Sequence, residues 1–157
     1  MPITLDPSLD GKDREAAVAI ARVCERIERD VAPKANIPFD PGQEDLALMR
    51  YEDLHAAARN IDLRGCPDDF RSAMEDMVAV LASAEDVVRQ TVIFQRRYSG
   101  FRRRIELWRS TWFGPTRMVR TATRIIADLE LHTDAVLQAA TEVEQAAARH
   151  GVMGVSL

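Results

Sequence analysis

A repeating pattern of apolar side chains runs through the middle of the chain and constrains the fold more than any other feature. From Phe70 to Trp112, alternate steps of three and four residues land on apolar or aromatic side chains, with Thr91 as the exception. Side chains at this spacing form one stripe along an α-helix, which other helices must cover. We therefore predict a helix of 47 residues, 67–113, roughly 70 Å long at about 1.5 Å per residue.

Ser99 and Gly100 lie inside this stripe and are the weakest point of the predicted helix. Glycine in a helix interior costs about 1 kcal/mol relative to alanine and is found where helices bend. The stripe keeps its register across both residues, which favours a continuous helix. A break there, giving two shorter helices, is the alternative.

The rest of the chain also has helical patterns and few signs of strands, since no sustained alternation and no Asn-Gly or Asp-Gly turn occurs. Asp40 followed by Pro41 is typical of a helix start. We therefore predict an all-α fold, an up-down four-helix bundle forming a single domain over residues 1–157. The helices are expected at about residues 10–31, 41–61, 67–113 and 115–150, with a flexible tail at 151–157.

Gly114 and Pro115 separate the long third helix from the last one, whose own apolar stripe includes Val119, Ile126 and Val143. A tight turn between two helices with apolar stripes predicts an antiparallel hairpin. The first two helices reach only about 30 Å each, so they cover only part of it. We predict that the remainder projects as a two-helix tip, unless a second copy of the chain covers it.

Charge is segregated along the chain, although the formal net charge is only −4. Residues 1–88 carry a net charge of −9 and residues 125–157 a net charge of −4. Residues 89–124, which we call the basic segment, carry ten arginines and only one acidic residue, Glu106. Six of the nine aromatic side chains also lie in the basic segment, so any distinctive function is expected there.

Two interpretations of the basic segment differ in what its arginines contact. In the first, the arginine stems shield the apolar stripe, the guanidinium groups pair with acids on the other helices, and the aromatic side chains are core. In the second, the turn gathers like charges that an anionic partner neutralises, and tryptophans beside it anchor that partner. The partner-binding residues would then be Arg102, Arg103, Arg104, Trp108, Arg109, Trp112, Phe113, Arg117, Arg120 and Arg124.

The functional prediction follows the second interpretation: a non-catalytic interaction module that binds an acidic partner protein, or a second copy of itself as a homodimer. The alternative is nucleic-acid binding through the same residues, because aromatic rings stack on bases and arginines pair with phosphates. A pI near 5.4 and the lack of a nucleic-acid-binding motif argue against that alternative.

Glu52 and His55 have the ExxH spacing, which places both side chains on one face of a helix. Di-iron helical bundles need two such motifs and further glutamates. The sequence contains no second ExxH, so the pair is only a weak metal candidate, and His55 is expected to pair with Glu52 instead. Because nucleophile and phosphate-binding motifs are also absent from the sequence, we predict no catalytic residue and no cofactor.

The cysteines and the N-terminus bear on the cellular compartment. Cys24 and Cys66 are too few for a disulfide framework and are predicted to be small buried side chains, with a bridge between them as the alternative. No stretch is long and apolar enough to span a membrane, and Met1–Asp6 lack the pattern of a secretory leader. The default expectation is a cytoplasmic protein, although a leader removed earlier would leave no trace.

Overall fold

The computed structural model of the chain describes residues 3–35 and 44–155. Within these ranges the chain is almost entirely helical, so the predicted all-α class is confirmed. The elements in chain order are β1 (Thr4–Leu5), α1 (Gly11–Asp30), α2 (Ala32–Ala35), α3 (Glu44–Arg59), α4 (Asp68–Arg97), α5 (Gly100–Phe113), α6 (Arg117–Arg149) and β2 (Val152–Met153).

Helices α1, α3, α4 and α6 form the four-helix bundle, and its most extensive contact joins α4 to α6. These two helices are antiparallel, because the end of α6 meets the start of α4. There, Arg149 pairs with Asp69, and His150 Nε2 lies 2.8 Å from the other carboxylate oxygen of Asp69. The predicted antiparallel pairing with the last helix therefore holds for α4, the first part of the predicted third helix, whereas α5 makes few contacts with α6.

The core lies where the apolar stripes of these four helices meet. Ile20 and Ile27 of α1, Phe70 and Met74 of α4 and Val143 of α6 are almost completely buried. Full burial of a large apolar side chain contributes roughly 1.5–3 kcal/mol relative to exposure. The stability of the fold is therefore concentrated at the end of the bundle that holds these side chains.

The prediction of one continuous helix over residues 67–113 is wrong, and the alternative of a break near Ser99 and Gly100 is confirmed. Tyr98 leaves helical geometry after the end of α4, and Ser99 is extended, with a ψ of 154°. Gly100 has a φ of +60°, a left-handed conformation that costs glycine far less than other residues. Beyond the break no side chain of α5 is buried, so little core contact opposes the change of direction.

The ends of the other helices lie near their predicted positions. α1 ends at Asp30, and the single turn of α2 that follows contains Pro33. The predicted helix start at Asp40 and Pro41 lies outside the described residues. α6 begins after Thr116, whose hydroxyl accepts a hydrogen bond from the backbone N–H of Val119, and this bond satisfies one of the free donors at the helix start.

The last helix buries a different face in its first half than the sequence predicts. Ile126 belongs to the predicted stripe but is 57% exposed, whereas its neighbour Ile125 is 6% exposed. Met118, seven residues before Ile125, is also buried. Near the end of α6, Val143 is buried as predicted. The first half of α6 is thus rotated so that part of its apolar surface remains uncovered.

Residues 151–155, part of the predicted flexible tail, contain a turn and the short strand β2. β2 pairs antiparallel with β1, with Leu5 opposite Val152, and Val152 is only 1% exposed. Gly151 makes the turn after α6 with a φ of +73°, and a Cβ atom there would lie 2.7 Å from Cδ1 of Leu9. Strands of two residues are too short to show an alternating pattern, which is why the sequence does not reveal them.

Cys24 and Cys66 are both free and buried, as the first interpretation of the cysteines predicts, and no bridge joins them. Burial raises the pKa of Cys24 to about 12 and also raises the pKa of Cys66. Because the thiolate is the reactive form of cysteine, both side chains serve as apolar packing at neutral pH.

Candidate functional site

One side of α5 presents large apolar side chains to solvent. Phe101, Ile105, Trp108 and Trp112 follow each other at steps of four, three and four residues, so they lie within about 60° of one another around the helix axis. Phe101 is 77% exposed, Trp108 62% and Trp112 70%. We call these four residues the aromatic face. Phe113 is also exposed but lies about a third of a turn away.

The other side of α5 is turned toward the bundle. Gly100, Arg103 and Leu107 line a cleft against the end of α4 and the first half of α6. These three positions share one side of the helix, and at about 100° per residue their mean direction lies about 140° around the helix axis from that of the aromatic face. The orientation of α5 is therefore set by this contact, and the aromatic face is left pointing away from the protein.

Arginines border the aromatic face on both sides. Arg104 lies on one side, and Arg102 and Arg109 lie on the other. Arg109 pairs with Glu106 of the same helix at 3.6 Å, and the guanidinium of Arg102 lies over the Tyr98 ring at 5.5 Å. Arg104 forms no ion pair with any described residue. The border of the aromatic face therefore keeps an excess of positive charge.

The arginines of α6 occupy a separate surface. Arg117, Arg120 and Arg124 are exposed, share one face of the helix and form no ion pair with residues 3–35 or 44–155. This face lies opposite Val119 and Ile126, which line the cleft under α5. The structure thus exposes all ten residues predicted to bind a partner, but it unites only Arg102, Arg104, Trp108, Arg109 and Trp112 around one apolar surface.

Pairing of the basic segment with acidic helices, the first interpretation, holds at Arg89. Its guanidinium lies 3.1 Å from Glu52 of α3 and 2.6 Å from Glu85 of α4. Of the aromatic side chains that this interpretation assigns to the core, Phe101, Trp108 and Trp112 are instead exposed, whereas Phe94 and Tyr98 are partly buried.

The weak metal candidate is part of an ion-pair network between α3 and α4. His55 donates from Nδ1 to Oε2 of Glu85 over 2.7 Å, and Glu52 pairs with Arg89. The expected pairing of His55 with Glu52 is therefore wrong, because Glu85 of the neighbouring helix is the closer acceptor. Among the described residues no group of three or more histidine, cysteine or acidic side chains is arranged to hold a metal ion.

Sequence reasoning missed the cleft under α5. Its signal in the sequence is weak: Met118 and Ile125 recur seven residues apart beside the stripe of Val119 and Ile126, which gives α6 a wider apolar surface than one neighbouring helix needs. Only the position of α5 shows which part of this surface stays open.

Comparison of the chain with protein-family models, with curated proteins and with solved structures finds no match. In the part of the chain that the structure describes, no helix combines the length and the apolar character needed to cross a bilayer.

Proposed function

We propose that this protein is a non-catalytic interaction module, a helical bundle that binds an acidic partner protein through the aromatic face of α5. One observation carries the proposal: a helix without a buried side chain exposes two tryptophans and a phenylalanine on one face, between arginines. Contiguous exposed apolar surface of this kind marks interaction sites, and tryptophan and arginine are the side chains that most often dominate binding energy at interfaces.

The charge of α5 supports an acidic partner over self-association. The helix has four arginines against Glu106, a net charge of +3. Pairing the aromatic faces of two copies would bring these charges together, and like charges across an interface are unfavourable. An apolar groove bordered by carboxylates complements both the face and its border.

Site-specific cross-linking tests the proposal. Trp112→p-benzoylphenylalanine places a photoreactive group on the aromatic face, and Met153→p-benzoylphenylalanine places the same group on an exposed residue of β2 as a control. We expect a protein adduct that forms from position 112 and not from position 153. The adduct partner is then identified by mass spectrometry, purified and titrated with the protein.

The titration compares two charge-reversal variants that change net charge equally. R104E/R109E alters the border of the aromatic face, whereas R14E/R59E alters exposed arginines of α1 and α3 that form no ion pair with described residues. We expect R104E/R109E to raise the Kd at least about tenfold, equivalent to about 1.4 kcal/mol, and R14E/R59E to leave it within about twofold.

Three results would contradict the proposal. The first is an equal effect of the two double variants on the Kd. The second is an adduct that consists only of a second copy of the chain, which would show self-association. The third is an adduct that nuclease treatment removes, which would favour the nucleic-acid alternative.

A further inference from the structure

A cleft of about 770 Å³ lies between the inner side of α5, the end of α4 and the first half of α6. We call it the tip cleft. Its volume falls within the range of about 300–1,000 Å³ that is typical of small-molecule sites. Its walls are mainly apolar and include Phe94, Tyr98, Leu107, Val119, Ala122 and Ile126.

Arg103 is the only charged residue along the described lining of the tip cleft. Its side chain is exposed and forms no ion pair within the described part of the chain. A guanidinium group is planar and binds a carboxylate through two parallel hydrogen bonds. Gln95 of α4 adds an amide donor to the same lining. The cleft therefore combines one unpaired cation with apolar walls.

We infer that the tip cleft binds a small amphiphile with one carboxylate and a single apolar chain. The carboxylate pairs with Arg103, and the chain covers the cleft walls, including the exposed side chains of Leu107 and Ile126. A single cation matches a single negative charge, whereas a dianionic head group would leave one charge uncompensated. This site lies on the inner side of α5 and is separate from the aromatic face, so the inference goes beyond the proposed function.

A fluorescent fatty acid, 11-(dansylamino)undecanoic acid, tests the inference directly. Titration into the purified full chain is followed by dansyl emission, and the stoichiometry is measured by calorimetry. We expect saturable binding of one probe per chain. Arg103→Gln is expected to raise the Kd at least about tenfold, because it removes the charge that pairs with the carboxylate.

Two controls distinguish binding of the probe at this site from nonspecific hydrophobic binding. Arg120→Gln removes the same charge from the side of α6 turned away from the cleft, and its Kd should stay within about twofold of the wild type. The methyl ester of the probe, which has no charge, should bind the wild type and Arg103→Gln equally. Ala122→Phe should abolish binding by filling the cleft, while circular dichroism confirms that the helices remain.

Equal Kd values for Arg103→Gln and Arg120→Gln would overturn the inference, as would unchanged probe binding by Ala122→Phe. Binding of several probes per chain, or binding only to fatty-acid vesicles and not to the monomeric probe, would overturn it as well. Because the aromatic face and the tip cleft lie on different sides of α5, failure of the cross-linking test at position 112 and failure of this titration are independent results.

Discussion

At the scale of single residues, the clearest electrostatic feature is the network that joins α3 to α4. His55 and Glu85 are mostly buried, with side-chain exposures of 21% and 16%, and Arg89 links Glu85 to Glu52. The hydrogen bond from His55, supported by Arg89, holds the pKa of Glu85 below its usual value. The network therefore stabilises the packing of the two helices most strongly when Glu85 is ionised.

We expect Glu85→Gln to lower the free energy of unfolding at neutral pH by about 1.5–3 kcal/mol, since a charged acceptor with two donors is lost. The folded pKa lies below the unfolded value near 4.5. The stabilisation is therefore complete above the unfolded pKa and is lost as pH falls through the folded one. Urea unfolding at a series of pH values should show that the difference from wild type is constant above the unfolded pKa and shrinks as the pH falls through the folded pKa.

Glu75→Gln is the matched control, because Glu75 lies on the same helix, is exposed and forms no ion pair with described residues. Its unfolding free energy should follow the wild type within about 0.5 kcal/mol at every pH. A pH-independent difference between Glu85→Gln and the wild type would show that the charge of Glu85 is not what stabilises the contact.

At the scale of elements, α4 and α5 carry the same apolar stripe, which is buried in α4 and exposed in α5. In α4 the stripe is covered by α3 and α6, and Phe70, Met77 and Leu81 are buried. In α5 the stripe continues at the same spacing but no neighbouring helix covers it, so Trp108 and Trp112 remain in solvent. The apolar side chains of α5 therefore contribute little to stability and are free to bind.

We expect W108A/W112A to change the free energy of unfolding by less than about 0.5 kcal/mol, because neither side chain is buried. Phe70→Ala should cost about 3–5 kcal/mol by leaving a cavity in the core. Urea unfolding followed by far-ultraviolet circular dichroism is the suitable measurement, since these tryptophans are the only two in the chain.

A loss of more than about 2 kcal/mol in W108A/W112A would show that the aromatic face is covered. If that loss grew with protein concentration, a second copy of the chain would be what covers the aromatic face. If it did not, α5 would pack on its own chain, and the proposed interaction surface would have to be abandoned.

At the scale of the whole molecule, charges that are segregated along the sequence are also segregated in space, because α4 and α6 pack antiparallel. The acidic end of α6 lies beside the acidic start of α4, as the contact of His150 with Asp69 shows. The arginine-rich end of α4, α5 and the start of α6 lie at the opposite end. The molecule therefore has an acidic end and a basic end, and such a field would steer the proposed acidic partner toward α5.

At the acidic end, β1 pairs with β2. We expect Val152→Ala to lower the free energy of unfolding by about 1–3 kcal/mol, since its side chain is buried against the core. Met153→Ala, on the opposite side of the same strand and half exposed, should change it by less than about 0.5 kcal/mol. Equal effects in urea unfolding would contradict the packing of β2 on the core.

Much of the fold could be predicted from the sequence, because helical periodicity is a local property. The spacing of apolar side chains identified the long helices, and the turn after Phe113 indicated an antiparallel pairing, which the structure shows between α4 and α6. The break at Ser99 and Gly100 was seen only as an alternative. The apolar stripe shows only which side chains share a face of a helix. The break between α4 and α5 depends instead on the left-handed conformation of Gly100 and on the lack of buried side chains in α5.

The sequence indicated where the candidate site lies but did not predict its geometry. Counting charges and aromatic residues was enough to single out the basic segment. It could not show that Arg103 faces a cleft, that Arg104 borders an exposed face or that Arg117 lies on another surface. These differences depend on how α5 is rotated against α4 and α6, and a linear pattern does not contain that rotation.

The sequence by itself thus determined the helical class, the pairing of the long helices and the uneven charge, since each follows from local spacing or composition. Tertiary structure alone decided which apolar residues are covered, which acid pairs with His55 and where the chain ends meet. The physical reason is that burial and pairing depend on neighbours that are distant in sequence, and these are set only when the whole chain packs.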